Sequence, residues 1–365
     1  MGRGIIQSFL TKTLFLLPEM TNVKNGTVKW RSPSNIALIK YWGKHGNQLP
    51  ANPSLSFTLD KSFTEMEIAF GPRTDQKALT FFFEGKEKPQ FAQRISRYLD
   101  SIRSALPFLQ EVSLVINSSN SFPHSAGIAS SASSMSALAL CLCSIEEVLT
   151  NVQEEEVFFK KASRLARLAS GSASRSVYGG AVVWGETGEP QYSNDYAVPF
   201  SGNIHPDFKD FRDTILVVNS GPKSTSSSVG HELMNNHPLS ESRYKSAKDN
   251  LRELSQVLEE GNLPRFCDIV ENEALTLHSL MMTSEPSVLL LEGATLEIVH
   301  RIRAFREETK LPVCFTIDAG PNIHLLYPAG ITDEIGQFIN DQVIVYCEHQ
   351  KRIDDQVGQG PARLT

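Results

Sequence analysis

Four short stretches of this chain hold residue types that could do chemistry. The first runs from Ala126 to Ala139, where Gly127 and five serines (Ser130, Ser131, Ser133, Ser134 and Ser136) precede an alanine-rich apolar run. Serine competes with the helical backbone and favours caps and loops. Gathered at the mouth of a helix, these hydroxyls would join free N–H groups and the positive dipole end, a setting that suits phosphate oxygens. The segment is neither GxxxxGK[ST] nor GxGxxG. On local grounds, a helix of small residues packed tightly on a neighbour explains it equally well.

The second stretch, Ser32 to Asp60, includes Lys40, Tyr41, Trp42, Gly43 and Lys44, two cations and two amphipathic aromatics in five residues. A lysine pair is usually just a solvated face. The aromatics and the turn-rich GNQLPANPS that follows favour a loop instead. In the third, Ser170, Gly171, Ser172, Ala173 and Ser174 lead to Arg175. Arginine forks onto carboxylate or phosphate oxygens as lysine cannot, although a helix end with a surface arginine would read the same way. In the fourth, Asp318 follows the apolar run FTI and precedes Ala-Gly-Pro-Asn, so its carboxylate leaves a strand end at a tight turn, for catalysis or merely for capping.

Elements that would position these residues can be read from periodicity. Thr27–Trp30, Thr64–Phe70, Ala78–Phe83 and Val112–Ile116 read as strands. Gln90–Arg103 reads as a helix, as does the run from the serine stretch to Leu149. Glu154–Ala169 opens on glutamates, closes on Lys160, Lys161, Arg164 and Arg167 and stops at Ser170-Gly171, which agrees with the helix dipole and a glycine stop. After a Pro- and Gly-rich region, Thr187 to Asp210, come a strand at Thr214–Ser220 and helices at Glu241–Glu259, Leu263–Met281 and Ser287–Thr309. Strands VCFTI and IHLLY follow, and a last helix at Thr332–His349 closes the chain. Strands and helices mixed without regular alternation predict an α+β fold. The expected organisation is a disordered extension over 1–20, one domain over 21–205 and a second over 206–365.

Composition sets the outer limits. A chain of 365 residues with 41% hydrophobic and 21% charged residues is ordinary for a globular protein with a sizeable core. A net charge of -6 argues against a general nucleic-acid binder. The five cysteines are odd in number and lack a CxxC pair, and the nine histidines lack HExxH spacing; neither a disulfide framework nor a protein-held metal is expected. A reducing compartment, the cytoplasm, follows. The run Leu14 to Leu17 is too short for a signal peptide, no stretch suggests a bilayer span, and Met20 is an alternative start.

Taken together and in order, NIALIKYWGK, FPHSAGIASSAS, SGSASRS and DAGPN resemble the diphosphomevalonate decarboxylase family within the GHMP kinase superfamily. The serine segment alone resembles only the superfamily; the Lys-Tyr-Trp-Gly-Lys and Asp-Ala-Gly-Pro-Asn segments narrow it. The resemblance covers the chain from about residue 27 onward. It implies two lobes, the N-terminal one like ribosomal protein S5 domain 2 and the C-terminal one ferredoxin-like, with the active site between them. It further implies ATP-dependent decarboxylation of a diphosphomevalonate in a homodimer, with no nucleic-acid or membrane partner.

By the same resemblance, Gly127, Ser130, Ser131, Ser133 and Ser134 cradle the ATP phosphates, and Mg2+ rides on those phosphates and the loop serines. Asn35, Tyr41, Lys44, Ser170, Gly171 and Ser172 bind substrate, Arg175 grips its carboxylate, and Asp318 faces the tertiary hydroxyl; Asp318, Arg175 and Lys44 form the catalytic set. Ser227, in the segment KSTSSSVG, is implied as a nucleotide contact of a mobile loop. This chain departs from the family pattern in its N-terminal extension, in Ile128 and in the reading STSSSVGHE. A relative acting on a mevalonate monophosphate, as kinase or decarboxylase, and a non-catalytic metabolite binder are the alternatives.

Overall fold

Strand β1, Gly26–Ile39, changes character halfway along, and that change organises the molecule. Over its first residues burial alternates, with Val28 and Trp30 inward and Lys29 and Arg31 outward, as a sheet with one wet face requires. From Ser32 onward every residue is buried. Strand β2, Ser54–Pro72, mirrors this: Ser54–Leu59 are buried on both faces, and the remainder alternates from Phe63. The two strands pair antiparallel from Gly26 opposite Phe70 to Ile39 opposite Leu55. A register shift between Pro33 and Asn35, where proline has no N–H to give the ladder, interrupts the pairing just before Asn35.

The computed structural model describes residues 23–73, 78–122, 130–221 and 227–365. Gly127 lies outside them, as does the side chain of Ser227. Beside β2 lies β4, Val112–Asn120, followed by β3, Leu79–Phe83, which runs parallel to β4. The inner end of β2 also pairs with β5, Ala181–Trp184, and β5 with β6, Ala197–Pro199. Helix α1, Pro89–Ser101, buries Ile95 and Leu99 against the same core as α2, Ser130–Thr150, and α3, Glu155–Ala169.

Helix α2 is long and apolar enough to cross a bilayer, with a mean hydropathy of 1.4 over its most apolar window, contrary to the expectation that no such stretch exists. That window is 72% buried in the protein core. Its serines help seat it: Ser133 bonds Thr64 at 2.7 Å, Ser136 bonds Ser32 at 2.6 Å, and Trp30 Nε1 donates to Ser144 at 2.8 Å.

The second half builds an antiparallel sheet in the order β8 (Cys314–Ile317), β9 (Ile323–Tyr327), β7 (Arg212–Leu216), β10 (Arg352–Gln356). Its helices are α4 (Ser227–Glu232), α5 (Ser240–Glu260), α6 (Leu263–Met282), α7 (Gly293–Thr309) and α8 (Thr332–Phe338). The whole is the mixed α+β architecture expected.

The expected closing helix is α-helical only to Phe338. It continues as a π turn and 3-10 turns, with His349 and Gln350 at positive φ. Strand β10 was not expected, because RIDDQ has the wrong composition for one. Its aspartates serve the fold: Asp355 accepts N–H groups of Asp60, Lys61 and Ser62 at 2.7–2.9 Å, tying the second sheet to β2. Finally Ala362–Arg363 returns to pair with β1 at Trp30 and Arg31.

The inner ends of β1 and β2 pack directly on the second half. Ile36, Leu38, Ile39, Leu55 and Phe57 share one core with Phe208, Phe211, Leu251, Leu254 and Phe266. Burial of that many large side chains, at about 1.5–3 kcal/mol each, fixes the two halves against each other. All five cysteines are buried and unpaired.

Candidate active site

Where β1 ends, the chain delivers Lys40 into the junction of the halves. Its side chain is 2% exposed, and Nζ donates to Asp318 Oδ1 at 2.7 Å. Burial drives the lysine pKa down, opposed first by Asp318 and then by Glu273. Asp318 follows β8, and its carboxylate is 30% exposed, so the pair has a dry side and an open side. The main chain of Asp318 is held as well: His278 Nε2 lies 3.0 Å from its carbonyl, to which it must donate, and Gly320 N–H donates to the same oxygen at 2.7 Å.

A buried polar network stands behind Lys40. Glu273 Oε2 accepts the Lys40 N–H at 2.9 Å, and Arg243 clasps Glu273 through two bonds of 2.7 and 2.6 Å. Arg243 and Asn52 both donate to the Lys40 carbonyl at 2.9 Å, and Asn250 donates to Glu273. Desolvation raises the Glu273 pKa, but Arg243 and the other donors outweigh it and hold the carboxyl below its ordinary value.

Arg175 enters from the other wall. The helix stops at Ala169, as expected, but the stop is an extended Ser170 and not a left-handed Gly171, and Gly171–Val177 coils as a 3-10 helix that buries Arg175. Gly171 is needed for closeness instead, since a Cβ there would fall 2.8 Å from the Tyr41 ring and 2.9 Å from Trp184. The guanidinium donates to Ser54 at 2.7 Å, Ser56 at 3.0 Å and Asn35 at 3.2–3.3 Å, all neutral oxygens. Burial lowers its pKa to about 10, with Asp318 and Tyr41 pulling the other way, so it stays cationic at neutral pH. Asn35 is oriented in turn by donating to the Ser172 carbonyl at 3.1 Å and to Ser176 at 2.8 Å.

Tyr41 bridges the walls. Its ring lies 4.6 Å from Trp184 and 4.2 Å from His231, and its hydroxyl is buried without a hydrogen-bond partner among the described residues. Such a group is costly unless something else satisfies it. Lys44 begins a two-residue strand paired with Leu49–Pro50, half-buried, and its charge reaches His231.

The serine helix meets this cluster at its N-terminal end, where Ser170 donates to Ser131 at 3.4 Å. Ser131 is exposed, Ser130 and Ser134 are half-buried, and the Ser134 hydroxyl turns back to the Ser130 carbonyl at 2.7 Å. Ser133 corrects the expectation: it is fully buried, and its hydroxyl is engaged by Thr64, so it seats the helix instead of facing a phosphate. Among the described residues no cluster of three or more His, Cys, Asp or Glu could hold a metal ion. The neutral oxygens at this helix mouth suit a Mg2+ that arrives already chelated by phosphates.

Asn35, Tyr41, Ser170, Gly171, Ser172 and Arg175 thus lie against one another beside the N-terminal end of α2, with the charge of Asp318 reaching Arg175. Sequence reasoning missed Lys40 as the partner of Asp318, along with Ser54, Ser56, His231, Arg243, Glu273 and His278. Two of these carried a signal. Glu273 falls on the buried stripe Phe266, Val270, Leu277, and Arg243 heads the stripe Ala247, Leu251, Leu254. A charge on an apolar stripe demands a buried partner.

Comparison with known proteins shows the family and the fold. The family model described as "Diphosphomevalonate decarboxylase-like N-terminal domain" matches residues 32–196, and "Mevalonate 5-diphosphate decarboxylase C-terminal domain" matches 214–362. Diphosphomevalonate decarboxylase of Ganoderma lucidum is 30% identical over 329 residues, covering 84% of this chain and 80% of that protein. The Homo sapiens protein of the same name is 29% identical, with 84% and 78% covered. Mevalonate diphosphate decarboxylase from Staphylococcus aureus superposes with a TM-score of 0.80 at 29% identity, covering 93% of this chain and 98% of that one. The structure "MDDEF in complex with MVAPP, AMPPCP and Magnesium" does so with a TM-score of 0.79 at 25% identity, covering 93% and 99%.

Proposed function

The chain belongs to the diphosphomevalonate decarboxylase family, and we propose that its cleft carries out the ATP-dependent decarboxylation of (R)-5-diphosphomevalonate to isopentenyl diphosphate. This reaction belongs to the mevalonate pathway of isoprenoid biosynthesis. The observation that carries the residue assignment is the half-open Lys40–Asp318 pair, near enough to Arg175 for their charges to interact, together with a Tyr41 hydroxyl that has no partner among the described residues.

The reaction divides naturally among these groups. The 3-hydroxyl oxygen attacks the γ-phosphorus of ATP, a P–O bond forms, and ADP leaves. The C3–O bond then breaks, and phosphate departs with the electron pair. As C3 becomes electron-poor, the C1–C2 bond breaks; its electrons form the C2–C3 double bond, and C1 leaves as CO2. Asp318 orients the hydroxyl and takes its proton; once it passes that proton to the departing phosphate, its carboxylate is negative again beside the electron-poor carbon. Lys40 holds that carboxylate in place from the dry side.

Arg175 receives the substrate carboxylate, already desolvated and fixed by Asn35, Ser54 and Ser56, so binding requires little reorganisation. Tyr41, Lys44, Ser170 and Ser172 take the diphosphate, and Ser130, Ser131 and Ser134 face the nucleotide. Mg2+ bound to the ATP phosphates spreads the charge that builds up on them.

The gap between the two family matches, from 197 to 213, supports a domain boundary near residue 205. Five buried, unpaired cysteines support the cytoplasm as location. Family membership supports a homodimer.

Incubation with Mg-ATP and (R)-5-diphosphomevalonate tests this reading. ADP, phosphate, CO2 and isopentenyl diphosphate in equal amounts are expected. ADP without CO2 would mark a kinase, CO2 only from the 5-monophosphate would move the substrate, and no turnover with retained binding would leave a metabolite binder.

A further inference from the structure

Helix α4 contributes a histidine that none of the four motifs includes. The Gly43 N–H donates to His231 Nδ1 at 3.1 Å. The imidazole lies 4.2 Å from the Tyr41 ring and 4.7 Å from the Trp42 ring, centroid to centroid. One residue earlier, a Cβ on Gly230 would fall 2.4 Å from Trp42, so glycine lets the helix sit this close. From the other side, Gly43 has φ +90, and a Cβ there would fall 2.4 Å from the Tyr244 hydroxyl of α5. Tyr41–Gly43, just past the end of β1, is therefore clamped between two helices of the second half. Trp42 anchors the clamp in a cluster with Met234, Leu277, Leu280, Met281 and Ala319, the last of which follows Asp318.

We propose that His231 is a positioning residue for the substrate diphosphate: it accepts the Gly43 N–H and backs the Tyr41 ring, holding Tyr41 and Lys44 in register for the anion. The inference rests on the reading of Tyr41 and Lys44 as diphosphate ligands. Its physical basis is the demand made on five residues. Lys40 must reach Asp318, while Tyr41 and Lys44 serve a different anion, with a left-handed glycine between them that alone would leave the turn poorly defined. The clamp supplies that definition from outside the turn. Burial, reinforced by the charges of Lys44 and Arg175, pushes the His231 pKa down to about 3, so Nδ1 stays an acceptor at neutral pH. His231 does not touch the reacting carbon, and it should act on binding more than on turnover.

Steady-state kinetics on the full chain separate these effects. His231→Phe keeps a ring against Tyr41 but removes the acceptor; His231→Asn replaces it with an amide oxygen near the Nδ1 position. In His231→Phe, KM for (R)-5-diphosphomevalonate should rise about tenfold, the worth of one buried main-chain donor left unpaired. Its kcat and its KM for ATP should change less than about threefold, and His231→Asn should recover most of the loss. Tyr41→Phe and Lys44→Met run alongside. If both raise the substrate KM while His231→Phe does not, or if His231→Asn is no better than His231→Phe, the positioning role is overturned. A His231→Phe protein that only melts earlier and loses kcat, with KM unchanged, overturns it too. If Tyr41→Phe and Lys44→Met leave KM unchanged, the diphosphate assignment itself fails, and the role of His231 falls with it.

Discussion

Lys40 Nζ donates to Asp318 Oδ1 at 2.7 Å, joining residues 278 positions apart in the chain. The bond spans the two halves, so the proposed catalytic carboxylate is held by a residue from outside its own sheet. Lys40→Met should lower kcat by about 100-fold, as loss of a preorganised charge does. Substrate KM should shift much less, because Lys40 lies behind Asp318. Comparing kcat with KM in one set of progress curves checks this.

Arg175 is fixed by three neutral side chains and holds its charge in a desolvated site. Lysine would keep a charge but could not span those partners and a carboxylate at once. Arg175→Lys should weaken substrate binding by about 10- to 100-fold, the worth of one or two charge-assisted hydrogen bonds. Calorimetric titration measures it; binding within a factor of two of wild type removes Arg175 from the carboxylate site.

Gly171→Ala tests shape without touching charge. The added methyl would fall 2.8 Å from Tyr41, closer than any real contact, so the ring must move. Substrate KM should rise while the folded protein keeps its circular dichroism spectrum. An unchanged KM would mean that the ring position does not matter for binding.

Ser131 and Ser133, two residues apart, should part company. Ser133→Ala should lower stability by about 1 kcal/mol through the lost Thr64 bond and leave the ATP KM alone. Ser131→Ala should raise the ATP KM and leave the melting temperature alone. The reverse pattern would restore Ser133 as a phosphate contact.

Arg243 and Glu273 set the acid limit of the interface. Arg243→Met strands a buried carboxylate and should lose about 3–5 kcal/mol in urea unfolding near neutral pH. Glu273 is held below its ordinary value of 4.5 in the folded protein, so its contribution is complete above about pH 4.5 and fades as pH falls through the folded value. The stability gap between wild type and Glu273→Gln should therefore be flat between about pH 7 and pH 5 and shrink below pH 4.5. A gap that widens on acidification contradicts the direction of the shift.

Tyr41, Arg175 and Asp318 stood out in local patterns: aromatics beside cations, hydroxyls before an arginine, an aspartate at a strand-end turn. Each pattern also had a bland reading, and their proposed roles came from the family resemblance. The helix from Glu155 to Ala169 was legible from its charge polarity, with glutamates at its start and Lys160, Lys161, Arg164 and Arg167 toward its end. What escaped was pairing across the chain. Nothing near Lys40 distinguishes it from Lys44, yet one is buried against Asp318 and the other half-exposed. Ser133 shows the same limit, since its hydroxyl was spent on a strand whose position the local sequence does not carry. Strand β10 was hidden because Asp355 is there to bind the backbone of β2, a tertiary demand that overrides strand propensity.

The turnover number of Asp318→Asn, measured with Mg-ATP and (R)-5-diphosphomevalonate both saturating, tests the account most directly. Asparagine keeps the shape and can neither take the proton nor offset positive charge. A fall in kcat of about 10²- to 10⁴-fold is predicted, as for loss of a positioned general base. A kcat within about threefold of wild type would contradict it.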